Sequence, residues 1–598
     1  MYKLNPFQGY CHYISVFRSY IGYRIFLLFI LSLFAVCADS VGIMMLLPLL
    51  KVSELADNGP GGKAEILLEA FEYIGLPKTQ LGVLLFIALA FISKGVVKFG
   101  EGAYRARLMT GMRRILQSKL IHYYTQMEYL FYISQNTGHF INVITIQINR
   151  FLQSFKSLTQ FSAQVITTIG YLIFSLFFSW PFTLMAIGGG LVILSLFRIL
   201  SSISKKLSRK FSSENSIFQK YLVQILHALK YLMSTSSVAS LEKNAGKSIT
   251  KLASHEYKLQ IANSFTTAVK EPISILFLIL LLIVQITILH QPVGPVFVSL
   301  ILFYRAMNTM ISIQDSWQRL MNFVGSIEMV RDEFQNVRKH QEVNGNQNIN
   351  DFQYGINFHN VSFAYNTEPV LQDINLSITV NSTVAVVGES GAGKSTLVDL
   401  ITLLLKPQHG QVIINGVPHT ELNCQNWRKN IGFVTQETFI FDDTIANNIS
   451  LWSCYSTKDE TCRRRIEEAA RKAYCHPFID DLPDTYQTVV GDRGVKLSGG
   501  QRQRLFVARE LFKQPRLLIL DEATSSLDTE SERYIQKSID ELKGKITVVI
   551  IAHRLSTIKN ADYIYVLDHG RVVEQGTYND LAFRKNSRFS KMVTMQSL

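Results

Sequence analysis

Six apolar stretches, each of roughly the length a helix needs to cross a lipid bilayer, crowd the chain before residue 314, and nothing else constrains its fold as strongly. A hydrocarbon core takes ~20 helical residues. Runs of that order fall at 25–50, 81–97, 161–180, 182–203, 273–289 and 293–313. Gly188, Gly189, Gly190 and Pro272 interrupt them, which membrane helices tolerate where neighbours cover the freed backbone groups. After about residue 351 apolar and charged residues interleave as in a water-exposed domain. At 598 residues the chain also exceeds one compact core. The reading is therefore an α-helical transmembrane domain over 1–340, a polar, turn-rich linker at 341–354, and a second domain over 355–598.

Basic residues orient the spans. Between the second and third runs stand Lys98, Arg105, Arg107, Arg113, Arg114, Lys119, Arg150 and Lys156, opposed only by Glu101 and Glu128. The link between the fourth and fifth runs is likewise rich in Lys, whereas the link between the first two carries Glu54, Asp57, Glu65, Glu69 and Glu72. Positive charge stays on the cytosolic side, so both basic links, both termini and the second domain are expected there. The net charge of +14 then lies mostly against anionic lipid headgroups. No nucleic-acid-binding motif accompanies it, so no nucleic-acid partner is expected.

Periodic segments at 104–127 and 209–232 extend the spans as helices, reaching ~35–40 Å beyond the membrane at ~1.5 Å per residue. Short helices at their tips are expected near 132–140 and 213–221, placed to pass motion between the domains. Residues 10–23 read as an amphipathic helix on the inner membrane surface. Cys11, Cys37, Cys424, Cys454, Cys462 and Cys475 show no CxxC spacing, so neither a disulfide nor a zinc site is expected.

From residue 355 onward, short Val/Ile-rich strands alternate with helical segments, the pattern of an α/β domain on a mainly parallel sheet. Gly388-Glu389-Ser390-Gly391-Ala392-Gly393-Lys394-Ser395-Thr396 follows an apolar strand and precedes a helical run. That is the P-loop pattern: backbone N–H groups close around phosphate oxygens, Lys394 pairs with the β/γ-phosphates, and Ser395 offers its hydroxyl to Mg²⁺. The buried strand at 517–520 ends in Asp521 and Glu522. An acid there can hold Mg²⁺, and the next carboxylate can orient or deprotonate the attacking water.

Twenty residues before Asp521 the sequence Leu497-Ser498-Gly499-Gly500-Gln501 resembles the signature motif of ABC transporter ATPase domains. Other elements of that family appear in order. Tyr365 matches the aromatic that stacks on adenine, Gln436 the Q-loop glutamine, and 491–494 the exporter-type x-loop. Ser525, Ser526, Leu527 and Asp528 match the D-loop, and His553 the switch histidine. The resemblance covers essentially the whole chain, since six spans before one such domain is the half-transporter layout. It implies a P-loop ABC ATPase domain that hydrolyses ATP with Mg²⁺, with Glu522, His553 and Gln436 catalytic and Ser395, Gln436 and Asp521 at the metal. It also implies that Ser498, Gly499, Gly500, Gln501 and Asp528 face the nucleotide of a partner subunit, so a second half-transporter is required. The intact site favours an identical chain.

Asp39, Lys94 and Arg305 are ionisable residues inside expected spans, where charge is costly and usually functional. Counting along each span places Asp39 in an outer half, Lys94 in an inner half and Arg305 near the middle. Arg305 and Lys94, with Lys98 one turn on, would suit an anionic headgroup. A structural Arg305–Asp39 pair, or Lys94 reaching back to the inner interface, is the alternative. The link at 51–80 is long, and 64–73 spaces Ile66, Leu67, Phe71 and three Glu as an amphipathic helix. With Asp39-Ser40-Val41-Gly42-Ile43 it is similar to the bacterial lipid-linked oligosaccharide flippase branch, which implies an exporter of an amphipathic anionic substrate, a lipid-linked glycan first among them, in the bacterial inner membrane. A multidrug, lipid or peptide exporter is the alternative, and behind it an ATP-gated channel or regulatory protein.

Overall fold

The structure is a computed structural model. It describes every residue except 1–5, 53–62, 74, 76, 136, 179, 181–182, 185–186, 189–206, 208–209, 212, 216, 227, 288–292, 367, 455–458, 522–528, 553–557, 585–586 and 597–598. The chain divides into two compact units. Met1–Thr125 with Thr137–Val337 forms one, called the membrane unit for the spans expected in it, and Gln126–Asn136 with Arg338–Leu598 forms the other, called the ATPase unit for the motifs expected in it.

In the membrane unit, helices α1 (Pro6–Ile21), α2 (Arg24–Met44), α3 (Leu46–Val52) and α4 (Lys63–Tyr73) are followed by the 46-residue α5 (Gln80–Thr125). Then come α7 (Thr137–Asn142), a π-helical turn at Val143–Gln147, and α8 (Ile148–Phe178), with α6 (Tyr129–Ser134) belonging to the other unit. After α9 (Leu229–Ser234) the 50-residue α10 (Val238–Thr287) runs without interruption through Pro272, followed by α11 (Val293–Asn322) and α12 (Val324–Lys339). Among the described residues three helical stretches are long and apolar enough to cross a membrane, Arg24–Leu49, Gln80–Thr125 and Thr137–Phe177. Helices α10 and α11 cover the fifth and sixth expected spans, and most of the fourth lies outside the described residues. Helix α5 carries on through the expected periodic segment 104–127 almost to its end, and the described residues of the other expected segment, 209–232, are nearly all helical; α10 also extends far beyond its apolar stretch, through 238–272, where no such segment was expected.

Among the described residues two larger apolar cores hold this unit. In one, Phe17 of α1 packs its ring 5.1 Å from Phe151 and 5.2 Å from Phe155 of α8, with Met112, Leu116, Leu320 and Val330 around them. Thus α1 is bound to the bundle, each buried side chain contributing about 1.5–3 kcal/mol. The other joins Val36, Ile43, Tyr171, Leu302 and Ala306. There Gly170 lets α2 come close, because a Cβ on it would lie 3.0 Å from both methyls of Val36. The amphipathic α4 folds back on the bundle, with Phe71 buried against Val83, Met45 and Phe86.

The ATPase unit holds two sheets. The parallel expectation is met in the larger, ordered β10-β9-β3-β8-β7-β6, where only β10 (Arg571–Gly576) pairs antiparallel, with β9 (Tyr563–Asp568). Strands β6 (Ile431–Val434), β7 (Leu517–Asp521), β8 (Thr547–Ile551), β3 (Thr383–Gly388) and β9 run parallel. The smaller, antiparallel sheet of β1 (Ile356–Ala364), β2 (Pro369–Ile378), β4 (His409–Ile414) and β5 (Val417–Pro418) was not anticipated. All six residues of β3 are buried. Segment Gln126–Asn136 joins this unit through a bridge between Met127 and Gln341 and through Tyr129, which packs against its core.

One expectation fails. Cys454 and Cys462 are disulfide-bonded, with Cα atoms 6.3 Å apart. Cys462 lies on the helix Glu460–Lys472, and a spacing of eight residues carries no mark of such a pairing.

Candidate functional site

Strand β3 delivers the P-loop to the edge of the parallel sheet. Register across the sheet sets Val386 beside Ile551 and Ile551 beside Asp521. The segments leaving β3, β7 and β8 therefore emerge at one sheet edge, the carboxyl ends where α/β proteins build their sites. Asp521 ends β7 half-buried. Glu522, Asp528 and His553, which follow β7 and β8, lie outside the described residues.

The loop's shape fits a phosphate chain. Gly393 caps helix α13 (Lys394–Ile401) at φ 98°, a left-handed backbone that favours glycine, and a Cβ there would come 2.7 Å from Leu371. Lys394 is buried, and its Nζ donates to the carbonyls of Gly388 (2.8 Å) and Glu389 (2.9 Å). The ammonium is thus held inside the loop, within reach of an anion seated on the N–H groups of α13. Glu389, Ser390, Gly391 and Ser395 are exposed, while Ala392 and Thr396 are buried. Tyr365, just past β1, places its hydroxyl 3.3 Å from Thr396 Oγ1 and packs edge-on to Phe363 at 5.1 Å. Its ring therefore stands beside α13, where a stacked base would extend from the phosphates.

Among the described residues no cluster of three or more His, Cys, Asp or Glu could hold a metal by itself. Ser395 and Asp521 offer one oxygen-bearing side chain each, a donor set suited to Mg²⁺, which takes few protein ligands and completes its shell with phosphate and water. Gln436 is exposed on the loop after β6. Sequence reasoning missed Asp399, on α13 five residues after Lys394. Burial, and then the neighbouring Asp521 carboxylate, push its carboxyl up to about 6. A charged residue on the inward face of a P-loop helix is the signal that would have found it.

The signature segment opens a capped helix. Ser498 caps α14 (Gly499–Phe512) in a reciprocal box: its hydroxyl accepts from Gln501 N–H at 3.2 Å, and its own N–H donates to Gln501 Oε1 at 2.9 Å. Ser498 and Gly499 are exposed, and Gly500 is buried.

Four helices of the membrane unit meet at Asp39. Arg305 Nη1 donates to both its carboxylate oxygens at 2.7 Å, Lys94 Nζ lies 2.6 Å from Oδ1, and the Tyr171 hydroxyl also donates to it. The Asp39 side chain is 0% exposed, against 19% for Lys94 and 33% for Arg305. Both cations also stand over the Phe91 ring, at 5.7 and 5.6 Å. Lys98, one turn further along α5, is exposed. Counting from the ends of the apolar stretches put these residues at different depths. Those ends do not share a level, because α3 prolongs α2 and α4 packs over the start of α5.

Comparison with known proteins agrees with this architecture. The family model for the ABC transporter ATPase matches residues 371–525, and that for the ABC transporter transmembrane region matches 25–310. The ATP-dependent lipid A-core flippase of Haemophilus influenzae (strain 86-028NP) is 33% identical over 581 residues, covering 94% of this chain and 93% of that protein. This chain is an exporter-type ABC half-transporter.

Other proteins are similar too. The Escherichia coli (strain K12) lipid A-core flippase is 31% identical over 85% of this chain and 88% of its own length. The heterocyst differentiation ATP-binding protein HepA of Nostoc sp. is 31% identical over 83% and 81%. The structure of a bacterial Atm1-family ABC exporter with ATP bound superimposes with a TM-score of 0.74 at 24% identity, covering 96% of this chain and 97% of that one, a likeness of fold. This ABC transporter is thus an integral membrane protein that binds ATP and couples its hydrolysis to translocation.

Proposed function

We propose that two copies of this chain pair to flip an amphipathic anionic glycolipid out of the cytoplasmic leaflet of a bacterial inner membrane. Lipid-linked glycans and lipid A-type lipids both belong to that class, and the lipid A-core flippase activity for which the Haemophilus and Escherichia relatives are named supports it. The observation that carries the reading is the Asp39 cluster. Two cations converge on one carboxylate inside the bundle, leaving one positive charge in excess, and Arg305 and Lys94 keep part of their surface exposed. An anionic headgroup would neutralise that excess, with Lys98 in reserve. Charge inside a membrane bundle is costly enough that it usually serves transport.

The ATP site follows the family's arrangement in this reading. Residues 388–396 would cradle the phosphates, Tyr365 would stack on adenine, and Ser395, Gln436 and Asp521 would hold Mg²⁺. That ion would draw negative charge from the phosphates. Glu522 would orient the attacking water and His553 would steady the transferred phosphate. Ser498, Gly499, Gly500, Gln501 and Asp528 would complete the site of the other copy, so each ATP lies between two chains. ATP can shift the transporter outward only by binding the closed pair more tightly than the open one. Both termini and the ATPase unit would lie in the cytosol.

The test is ATP-dependent movement of fluorescent lipid-linked oligosaccharide and, separately, fluorescent lipid A across proteoliposomes, with Glu522→Gln as control. Movement of either by the unaltered protein alone supports the flippase reading and chooses between the two lipids. Movement of neither, alongside ATP turnover, overturns the glycolipid assignment. In the same assay Arg305→Ala should lose lipid-stimulated turnover and keep basal turnover.

A further inference from the structure

Tyr124, His139 and Glu333 form a polar cluster that no ATP or lipid contact explains. Glu333 is 5% exposed, and its Oε1 accepts from the Tyr124 hydroxyl at 2.9 Å while its Oε2 lies 2.9 Å from His139 Nε2. Rings close the cluster: Tyr124 packs edge-on to Phe140 at 4.9 Å, and Tyr123 to Phe334 at 6.1 Å. Three elements of the membrane unit are tied here, the end of α5, the start of α7 and the last turns of α12.

Their positions in the chain give the cluster its meaning. The chain passes between the two units at 125/126, 136/137 and 337/338. Tyr124 lies one residue before the first junction's last membrane-unit residue, His139 two residues after Thr137, and Glu333 four residues before Val337. Every covalent crossing thus has a member of the cluster within a few residues. On the far side the same connections are tied again, inside the ATPase unit. Glu128 N–H donates to His340 O at 2.8 Å, Glu342 N–H to Gln126 O at 2.9 Å, and the Phe131 ring stacks on His340 at 4.5 Å and 10°. A buried carboxyl group bonded through both oxygens is a rigid joint, since releasing either partner leaves a buried oxygen without its hydrogen bond.

We propose that Glu333 is a positioning residue for coupling: it clamps the three crossings together, so that a displacement of the ATPase unit moves α5, α8 and α11 as one body. Without the clamp each connection bends separately, and ATP is spent without moving the bundle. This rests on the paired-copy reading above, but not on which substrate is carried.

The test compares Glu333→Ala, Glu333→Gln and Tyr124→Phe with the unaltered full chain in lipid nanodiscs. Nitroxide labels at exposed Glu468 in the ATPase unit, or at exposed Thr110 on α5, report the distance between equivalent positions of the two copies before and after ATP with vanadate. Glu333→Ala is expected to keep the Glu468 distance change and at least half the ATP turnover, while the Thr110 change is lost. Glu333→Gln keeps an acceptor for Tyr124 and an amide for His139, and is expected to restore most of the Thr110 change. Tyr124→Phe, which removes one hydrogen bond and little volume, should fall between them. A Thr110 change that survives in Glu333→Ala overturns the proposal, as does its loss in proportion to lost turnover. Should Glu333→Ala fail to fold, unaltered coupling in Tyr124→Phe would overturn it equally. Absence of the Glu468 change in the unaltered protein would instead count against the paired reading, and no transported lipid is needed in either arm.

Discussion

Lys394 in the ATPase unit and Lys94 in the membrane unit are both lysines withdrawn from water, and they are satisfied in opposite ways. Lys394 bonds to carbonyls five and six residues away, in a loop whose glycines shape it for that purpose. Lys94 depends on Asp39, which also takes Tyr171 from 132 residues away and Arg305 from 266. The first site is assembled by its own segment, whereas the second exists only when four helices have packed. A local site can therefore be damaged without unsettling its surroundings, and a distributed one cannot.

The largest expected effect tests that difference on the distributed side. Asp39→Ala strands two cations inside the bundle, and breaking a buried pair by removing one partner costs about 3–5 kcal/mol. Thermal unfolding of the membrane unit in nanodiscs should shift down accordingly. Affinity for a fluorescent ATP analogue should stay within about twofold, because sites without shared partners act independently. A loss of nucleotide affinity as large as the loss of stability would break the comparison. On the local side, Lys394→Ala should lower ATP turnover by about 10²–10³, the usual cost of removing one preorganised donor to developing charge. Its membrane-unit unfolding temperature should be unchanged.

The same contrast explains what was legible in the sequence. Residues 388–396 announce their loop by spacing alone, and the structure folds them around buried Lys394 as that spacing requires. The parallel sheet was legible from alternating strands and helices, but the antiparallel β1-β2-β4-β5 sheet was not, since short strands carry no mark of the partner they choose. Asp39, Lys94 and Arg305 were conspicuous as charges within apolar runs, and an Arg305–Asp39 pair was among the alternatives. That Lys94 joins them, and Tyr171 as well, depends on which helices adjoin, which Gly170 helps decide by admitting α2 to α8. The short helix that follows α5 begins at Tyr129, a few residues before the expected 132–140, directly after Glu128, whose N–H bonds to the distant carbonyl of His340. In the second expected tip, 213–221, only residue 216 lies outside the described set, and all the others are helical. Asp399 carried no motif to mark it. Its raised carboxyl comes first from burial and then from Asp521, on a strand more than a hundred residues away.

The smallest effect sharpens the comparison most, because Ser498 has a local duty and a proposed distant one. As the cap of α14 its hydroxyl holds Gln501 N–H, and Ser498→Ala should cost about 1 kcal/mol of ATPase-unit stability. If that were its whole role, turnover per folded molecule would not change. If Ser498 also meets the γ-phosphate of a second copy, turnover falls, and mixed pairs reveal from which chain. Joining a Ser498→Ala chain to a Lys394→Ala chain puts both defects into one composite site and leaves the other composite site intact. Placing both changes in one chain, with an unaltered partner, gives each composite site one defect. Sites built within single chains reverse the assignment. Covalently linked pairs of defined composition therefore separate the arrangements: higher turnover in the first pair than in the second supports sites shared between chains, and the opposite order would place each site within one chain.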